Sequence, residues 1–192
     1  MNGSLHIRAA TPDDAAELLK IYEPYVRQTA ITFEYNVPTV TEFKDRIKNT
    51  LSKYPYIVAL RDNEIVGYAY AGEFKSRQAY DWAVETSVYV KMTARRSGIG
   101  KLLYSTLEKV LAAQGFLNMN ACIAFTEKND AHLTPDSVYF HEKLGFQYIG
   151  KFHQCGYKFD RWYDMIWMEK HIGKHTDKPA PIKPFNKADF EF

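Results

Sequence analysis

The chain has 192 residues, which suffices for one domain with a substantial core and is short for two. Its 25 lysines and arginines nearly balance 23 aspartates and glutamates, and the formal net charge of +2 gives no reason to expect a nucleic-acid partner. No apolar run approaches the roughly 20 residues of a membrane span, and the N-terminus lacks a signal-peptide stretch, so we expect a soluble, cytoplasmic protein with no membrane contact.

The first half of the chain predicts two helices followed by a hairpin. A short strand, LHIRAAT, leads into a helix with Thr11 as its cap and Pro12 at its first position. Thr39 and Glu42 form the sequence pattern of a capping box for a second helix. The run YIVALRDNEIVGYAYAG predicts a hairpin, and DWAVETSVYV predicts the next strand.

The second half predicts two more helices and three strands. A glycine-containing loop opens a helix that Gly115 ends, and the apolar run NACIAF follows as a strand in which Cys122 reads as a small buried residue. A helix starts near Thr134, Gly145 closes it, and two late strands follow. The order β-α-α-β-β-β-α-β-α-β-β indicates one mixed α/β (α+β) domain.

The last part of the chain differs in composition. From His171 onward, three of the eight prolines fall in a lysine-bearing segment. We therefore divide the chain into a domain over 1–170 and a C-terminal extension over 171–192 that wraps a surface or a partner. The histidines and cysteines lack zinc-ligand spacing, so we expect no metal.

The loop between the fourth strand and the third helix carries the pattern R-x-x-G-x-G, from Arg95 to Gly100. Its glycines are too close together for a Walker A loop, and position 103 is leucine where a dinucleotide-binding loop needs glycine. Glycines let backbone N–H groups approach an anion, and the helix adds its positive end, so the loop suits a pyrophosphate. An ordinary strand-to-helix turn is the alternative.

The loop and its flanking elements resemble the acetyl-CoA site of the GNAT superfamily of N-acyltransferases. The segments AYAGEFKSRQAYDWAVETSVYV, HEKLGFQYIG and GYKFDRWYDMIWMEK are similar to the phosphinothricin and methionine sulfoximine acetyltransferase branch. The resemblance covers about residues 5–170. It implies a single-domain fold with a mixed, mostly antiparallel sheet, a splayed central strand pair and flanking helices.

The resemblance also implies how acetyl-CoA is bound. The fourth strand would pair with the pantetheine arm and polarise the thioester carbonyl, and the glycine loop would hold the pyrophosphate. The residues it assigns to acetyl-CoA are Val88, Tyr89, Val90, Arg95, Arg96, Ser97, Gly98, Ile99, Gly100, Lys101 and Asn129. Asn129 lies twelve residues before His141, where the branch has a shorter step, which implies a loop over 126–134 that is several residues longer. Ser137 or Tyr139 is the alternative to Asn129 for this contact with the cofactor.

Two residues take catalytic roles by resemblance. Glu85 would be the base that deprotonates the acceptor amine, directly or through water; a salt-bridged strand glutamate is the alternative. His141 stands where many relatives have a tyrosine that protonates the leaving thiolate, and acid, base and purely structural roles are all open.

The acceptor pocket rests on four residues. Lys75 and Arg77 would meet the carboxylate and the phosphinyl or sulfonyl oxygens of a small amino acid, with Arg77 suited to a bidentate grip. Phe33 would wall the pocket, and Tyr80 would complete it. For Lys75 a solvated hairpin loop is the alternative.

These residues predict an enzyme that moves an acetyl group from acetyl-CoA to the α-amine of a small anionic amino acid by direct attack in a ternary complex. Another amine, from a polyamine, an aminoglycoside or a protein N-terminus, is the second hypothesis. A non-catalytic acyl-CoA-binding module is the third. The family's habit suggests a homodimer, with a seam near GYKFDRWYDMIW.

Overall fold

The computed structural model describes residues 4–128 and 130–186. In that part of the chain, seven strands and four α-helices follow one another in the predicted order. The elements are β1 Leu5–Ala9, α1 Ala15–Gln28, α2 Val40–Leu51, β2 Tyr56–Arg61, β3 Glu64–Glu73, β4 Ala83–Val90, α3 Ile99–Gln114, β5 Asn118–Phe125, α4 Asp136–Lys143, β6 Gln147–Lys158 and β7 Arg161–His171. The Asn129 prediction lies outside the described residues.

The strands form one sheet in the order β1-β2-β3-β4-β5-β7-β6. Every neighbouring pair is antiparallel except β4 and β5, which run parallel. This confirms the predicted mixed, mostly antiparallel sheet.

The parallel pair is short and then opens. Its register begins at Ala83 opposite Asn118 and ends at Glu85 opposite Asn120, although β4 continues to Val90. Beyond Glu85 the two strands no longer pair, which confirms the predicted splay. A gap with unpaired backbone edges therefore opens in the middle of the sheet.

Helices cover both faces of the sheet. The alternation of β4 places Val84 and Val88 against α3, in a core that also holds Leu103 and Leu107. On the other face, α1 and α2 bury an aromatic cluster that includes Tyr22, Tyr25, Phe43, Tyr56 and Tyr68. Glu85 shares the α1 and α2 face because it is offset by one residue from Val84.

Helix boundaries follow the predicted signals. Thr39 caps α2, with its side chain accepting from the Glu42 N–H at 3.2 Å and its own N–H donating to the Glu42 carboxylate at 2.7 Å. Gly115 ends α3 in the left-handed region at φ 103°. A one-turn 3-10 helix at Pro12–Asp14 precedes α1, because Asp14 folds back to receive the Thr11 N–H.

The described part of the C-terminal extension lies along the domain surface. The Trp82 indole N–H donates to the Ala180 carbonyl at 2.8 Å, and the Gln114 side chain donates to the Lys183 carbonyl at 2.9 Å. Ile182 packs on the edge of the core around α3. Among the described residues, no helix is both long and apolar enough to span a bilayer.

Candidate active site

The glycine loop presents the start of α3 to the gap in the sheet. Gly98 caps the helix at φ 83°, a left-handed conformation that favours glycine. The first helical bond at this end runs from the Leu102 N–H to the Gly98 carbonyl at 3.0 Å. The N–H groups of Ile99, Gly100 and Lys101 precede it and have no partner within the helix. This first turn is therefore a set of amide donors at the positive end of a helix of 16 residues.

The side chains of the glycine loop make different contacts around the first turn of α3. The Arg95 guanidinium lies 5.9 Å from the centre of the Tyr25 ring, and Arg96 forms a 3.5 Å ion pair with Asp136 on α4. Ser97 donates to the Ala94 carbonyl at 2.7 Å, so its hydroxyl holds the loop itself. Ile99 is buried in the core, and only its backbone faces the gap.

A cleft of about 930 Å³ occupies the gap between β4 and β5. The glycine loop forms one side of it, and α4 forms another. Its lining brings together nearly all residues predicted to bind acetyl-CoA, namely Val88, Tyr89, Val90, Arg95, Arg96, Gly98, Ile99, Gly100 and Lys101, and it also includes the catalytic candidate His141. Ser97 lies beside the cleft, outside this lining.

The backbone of β4 offers one free edge to the cleft. The Val84 carbonyl receives the Asn120 amide at 3.1 Å, and the Val90 carbonyl receives the Tyr25 hydroxyl at 2.5 Å. Because backbone polar groups alternate in direction along a strand, Val88 faces the same side as Val84 and Val90. Among the described residues its N–H and C=O meet no partner on that side. Tyr89 faces the other way, towards Tyr68 of β3.

A buried hydrogen-bond network lies at the bottom of the cleft. His141 is 5% exposed, and its Nδ1 is 2.7 Å from the Ser137 carbonyl while its Nε2 is 3.0 Å from the Tyr104 hydroxyl. A carbonyl only accepts, so Nδ1 carries the hydrogen and Nε2 accepts from Tyr104. The Tyr104 oxygen also lies 3.2 Å from the Thr86 hydroxyl, which ties the network to β4.

Burial keeps this network neutral. Desolvation lowers the pKa of His141 from 6.5 to about 4, although the hydrogen bond to Ser137 opposes the shift. Desolvation raises the pKa of Tyr104 far above its ordinary value. At neutral pH the imidazole is therefore uncharged and the phenol keeps its proton.

Glu85 stands where the ladder between β4 and β5 ends. Burial raises the pKa of its carboxyl group, and the positive charge of Lys75 partly opposes that shift. Among the described residues, no hydrogen bond or ion pair engages the Glu85 carboxylate, so the predicted alternative of a salt-bridged strand glutamate has no partner here. A half-buried carboxylate with a raised pKa is suited to accept a proton.

Cys122 corrects one sequence prediction. It was expected to be a small buried residue, but it is exposed and lines the cleft. The reason is the splay: β5 loses its neighbour beyond Asn120, so a side chain in an apolar run faces the gap instead of packed protein. The surrounding protein atoms, together with the nearby Glu85, still raise the pKa of its thiol, which keeps the thiol protonated at neutral pH.

Phe33 forms a wall on the same face of the sheet as Glu85. Its ring packs against Tyr163 on β7 with a centroid distance of 6.3 Å. A Cβ built on Gly156 of β6 would come within 2.3 Å of the Phe33 ring, so the glycine makes room for it. The segment that carries Phe33 joins α1 to α2 and has no regular structure.

The other three acceptor candidates lie on the connection between β3 and β4. The Lys75 ammonium lies over the Phe74 and Trp167 rings, at 5.1 and 5.3 Å, and Tyr80 packs edge-on against Phe74 at 5.9 Å. A cavity of about 760 Å³ opens beside these residues and is closed on one side by the C-terminal extension. Arg77 is exposed outside that lining, and within the described chain its guanidinium forms no ion pair.

Sequence reasoning missed several residues of the cleft lining, among them Tyr25, Thr86 and Tyr104. Tyr104 and Thr86 occupy buried positions in amphipathic patterns, where an apolar role is the ordinary expectation. The signal available for Tyr104 was its spacing, since it lies one helical turn after Gly100 and so projects from the same face of α3. No group of three or more possible metal ligands occurs among residues 4–128 and 130–186.

Comparison with known proteins places this site in a family. Residues 7–167 match the profile of the acetyltransferase (GNAT) domain. The chain belongs to the GNAT acetyltransferase family. It is 35% identical over 180 residues to the phosphinothricin N-acetyltransferase of Streptomyces viridochromogenes, covering 94% of this chain and 92% of that protein. It is 29% identical to the L-methionine sulfoximine/L-methionine sulfone acetyltransferase of Salmonella typhimurium, over 91% of this chain and 98% of that protein.

A solved structure agrees with the fold and the co-substrate. The GNAT phosphinothricin acetyltransferase of Sinorhizobium meliloti, determined in complex with acetyl-CoA, superposes with a TM-score of 0.83 at 35% identity and covers 94% of both chains. Our protein is therefore an acetyl-CoA-dependent N-acetyltransferase. Its cleft fits acetyl-CoA: the first turn of α3 offers amides to a diphosphate, and the free edge of Val88 offers a donor and an acceptor to the pantetheine arm.

Proposed function

We propose that this acetyltransferase modifies the α-amine of a small anionic amino acid of the phosphinothricin or methionine sulfoximine type. The supporting observation is a charge arrangement. Among the described residues, Lys75 and Arg77 on the connection between β3 and β4 form no ion pair within salt-bridge distance, and the Lys75 charge acts on the Glu85 carboxylate. Cations suit the acidic groups of such an acceptor, and the carboxylate suits its ammonium. A polyamine or aminoglycoside would instead need acidic walls. The relatives named for phosphinothricin and methionine sulfoximine point the same way.

In the proposed mechanism Glu85 acts as the base. An α-ammonium group must lose a proton before its nitrogen can attack, and a carboxylate with a raised pKa accepts that proton more readily than an ordinary one. Phe33 would hold the acceptor against the sheet, with Tyr80 at the far side and Arg77 swinging in from solvent. Acetyl-CoA supplies the activated acetyl group as a thioester.

The proposed roles on the cofactor side follow the cleft geometry. The Val88 N–H donates to the thioester carbonyl, and the amides of Gly98 to Lys101 bind the diphosphate together with the Arg95 and Arg96 side chains. Val90 and Tyr89 shape the cleft through their packing against Tyr25.

His141 receives a positioning role in this proposal. A neutral imidazole with a pKa of about 4 holds no acidic proton on Nε2 at neutral pH, so it orients the Tyr104 hydroxyl by accepting from it. Because the single Tyr104 O–H hydrogen is donated to His141, the departing thiolate takes the second proton that the attacking nitrogen loses as the C–N bond forms and the C–S bond breaks. The protonated thiol of Cys122 favours direct attack in a ternary complex over an acetyl-cysteine route.

We also propose a homodimer with its seam along β6. This strand is the sheet edge, runs for 12 residues, and together with the start of β7 exposes large apolar side chains. The exposed residues are Tyr148, Ile149, Phe152, Tyr157 and Trp162. Sedimentation velocity on Trp162→Ser should show a shift towards monomer relative to the unmodified chain, and an unchanged distribution would place the seam elsewhere.

A screen for release of free CoA tests the substrate class. The enzyme is incubated with acetyl-CoA and, separately, with phosphinothricin, methionine sulfoximine, ordinary amino acids, polyamines, an aminoglycoside and a peptide N-terminus. We expect the highest kcat/KM with the anionic amino-acid analogues. A preference for a polycationic acceptor would contradict the proposed role of Lys75 and Arg77.

A further inference from the structure

The end of α1 is held by side chains that lie outside the helix. The last carbonyls of an α-helix have no partner inside it. Here the Tyr25 carbonyl receives the Thr29 hydroxyl at 2.8 Å, and the Gln28 carbonyl lies 2.9 Å from Nδ1 of His132. The Val26 carbonyl receives the ammonium of Lys158 at 2.8 Å.

Lys158 does more than cap a helix. It is 3% exposed, and its ammonium donates to three backbone carbonyls, those of Val26, Thr29 and Thr32, each at 2.8 Å. All three of its N–H donors are therefore used. The acceptors span the end of α1 and the irregular segment after it, and Thr32 is the residue directly before Phe33. One side chain thus fixes the backbone that carries the Phe33 ring.

Lys158 is itself held in place by the hairpin between β6 and β7. It pairs with Arg161 across a two-residue turn in which Phe159 and Asp160 both have positive φ. The Phe159 ring stacks on His132 at 3.8 Å, nearly parallel at 10°. Arg161 forms a 2.5 Å ion pair with Asp130, whose side chain is fully buried.

The loop before α4 completes this support. The Asp130 carboxylate receives the His132 N–H at 2.5 Å and the Tyr163 hydroxyl at 3.1 Å. The His132 carbonyl in turn receives the Ala30 N–H at 3.0 Å. The segment after α1 is therefore held from two directions, by Lys158 and by this loop.

We propose that Lys158, supported by His132, is a positioning residue for the acceptor: it holds the segment 29–34 so that Phe33 stands against Gly156 and Tyr163. The inference rests on the proposed function, because it takes Phe33 as a wall of the acceptor pocket. Lys158 lies outside the lining of the cleft assigned to acetyl-CoA, and in the described part of the chain no hydrogen bond or ion pair joins it to the glycine loop. Its loss should therefore affect one substrate and spare the other.

The test compares Lys158→Met with Lys170→Met. Lys170 is a matched control on the same hairpin, since it is partly buried and paired with Glu108 at 2.6 Å but contacts nothing in segment 29–34. We expect Lys158→Met to raise the acceptor KM about tenfold, because misplacing a substrate-positioning group is costly, and to leave the acetyl-CoA KM within about twofold. In a Phe33→Ala background the same substitution should add little. An unchanged acceptor KM, or an effect that multiplies fully with Phe33→Ala, would overturn the proposal.

Two further measurements distinguish failure of the Lys158 proposal from misfolding of the variant and from failure of the proposed function. Should Lys158→Met fail to bind acetyl-CoA and lose its near-ultraviolet circular dichroism, His132→Ala takes its place. It should raise the acceptor KM about threefold, and an unchanged value would overturn the proposal. Hydrogen exchange needs no acceptor: amides of residues 29–34 should exchange faster in Lys158→Met than in Lys170→Met. If no amino acid is acetylated, the proposed function fails. Faster amide exchange in Lys158→Met would still support the proposal that Lys158 holds the segment 29–34, and equal exchange in the two variants would refute it.

Discussion

The two sides of β4 differ in the groups that they present: one presents mainly backbone groups and the other mainly side chains. On the cofactor side, the chain offers backbone: the amides at the start of α3 and the free edge of Val88. On the proposed acceptor side the chain offers side chains from separate segments, with Phe33 after α1, Lys75 before β4, and Tyr163 on β7. A backbone site needs a conformation, which a few glycines encode locally. A side-chain site needs tertiary assembly, which no single stretch of sequence encodes.

This difference also implies that substitutions on the two sides of β4 should affect the KM values of different substrates. Changes on the cofactor side should act on the acetyl-CoA KM through backbone geometry. Changes on the acceptor side should act on the acceptor KM through lost contacts. Glu85 belongs to neither group alone, because it stands at the point where the two sides meet.

The largest expected effect is therefore that of Glu85→Gln. Removing a general base should lower kcat by about 10²- to 10⁴-fold while both KM values change little. The unmodified enzyme should lose activity as pH falls through the pKa of Glu85, which burial places above its ordinary value, since only the carboxylate accepts a proton. The variant should lack this acidic limb. A kcat within a few-fold of the unmodified enzyme would remove Glu85 from the chemistry.

The burial of His141 beside the cleft should make the stability of the fold depend on pH. The His141 pKa falls from 6.5 in a solvated chain to about 4 in the fold, so below pH 6.5 the unfolded chain binds a proton that the folded chain does not. The free energy of unfolding should thus decrease as pH drops from 6.5 to 4, by about 3 kcal/mol in total, and be unaffected by this group above 6.5. Urea titrations of His141→Gln should show a flatter profile, and parallel profiles would contradict the burial argument.

The glycine loop and the strand before it could be predicted because their sequence signals are local. Gly98, Gly100 and the strand before them lie within one short stretch, and the helix caps at Thr39 and Gly115 were readable for the same reason. Tyr104 and Thr86 escaped sequence reasoning because a buried polar residue in an amphipathic pattern looks like core until its partner is known. Cys122 was placed wrongly because its exposure depends on a strand that separates from it. The role of Lys158 could not be predicted from the sequence, since its three carbonyl partners lie more than a hundred residues earlier in the chain.

Arg77→Ala examines the acceptor side with little risk to the fold. The side chain is exposed, so stability should stay within about 0.5 kcal/mol of the unmodified chain. Losing a charge-assisted grip should raise the KM for anionic amino acids about tenfold while the acetyl-CoA KM stays within about twofold. Steady-state kinetics with both substrates varied will decide, and equal effects on the two KM values would remove Arg77 from the acceptor pocket.

Gly98→Ala should give the smallest effect and the opposite selectivity. A Cβ at this position meets no atom within 4 Å, so the substitution acts only through the φ of 83° that alanine adopts at a cost of about 1 kcal/mol or more. If the loop relaxes away from that conformation, the amides of α3 turn from the cleft, and the acetyl-CoA KM should rise about fivefold with the acceptor KM unchanged. Gly150→Ala is the control, because a Cβ there is equally unhindered and no left-handed φ is involved. A rise in the acceptor KM instead would show that the two sides of β4 are not separable.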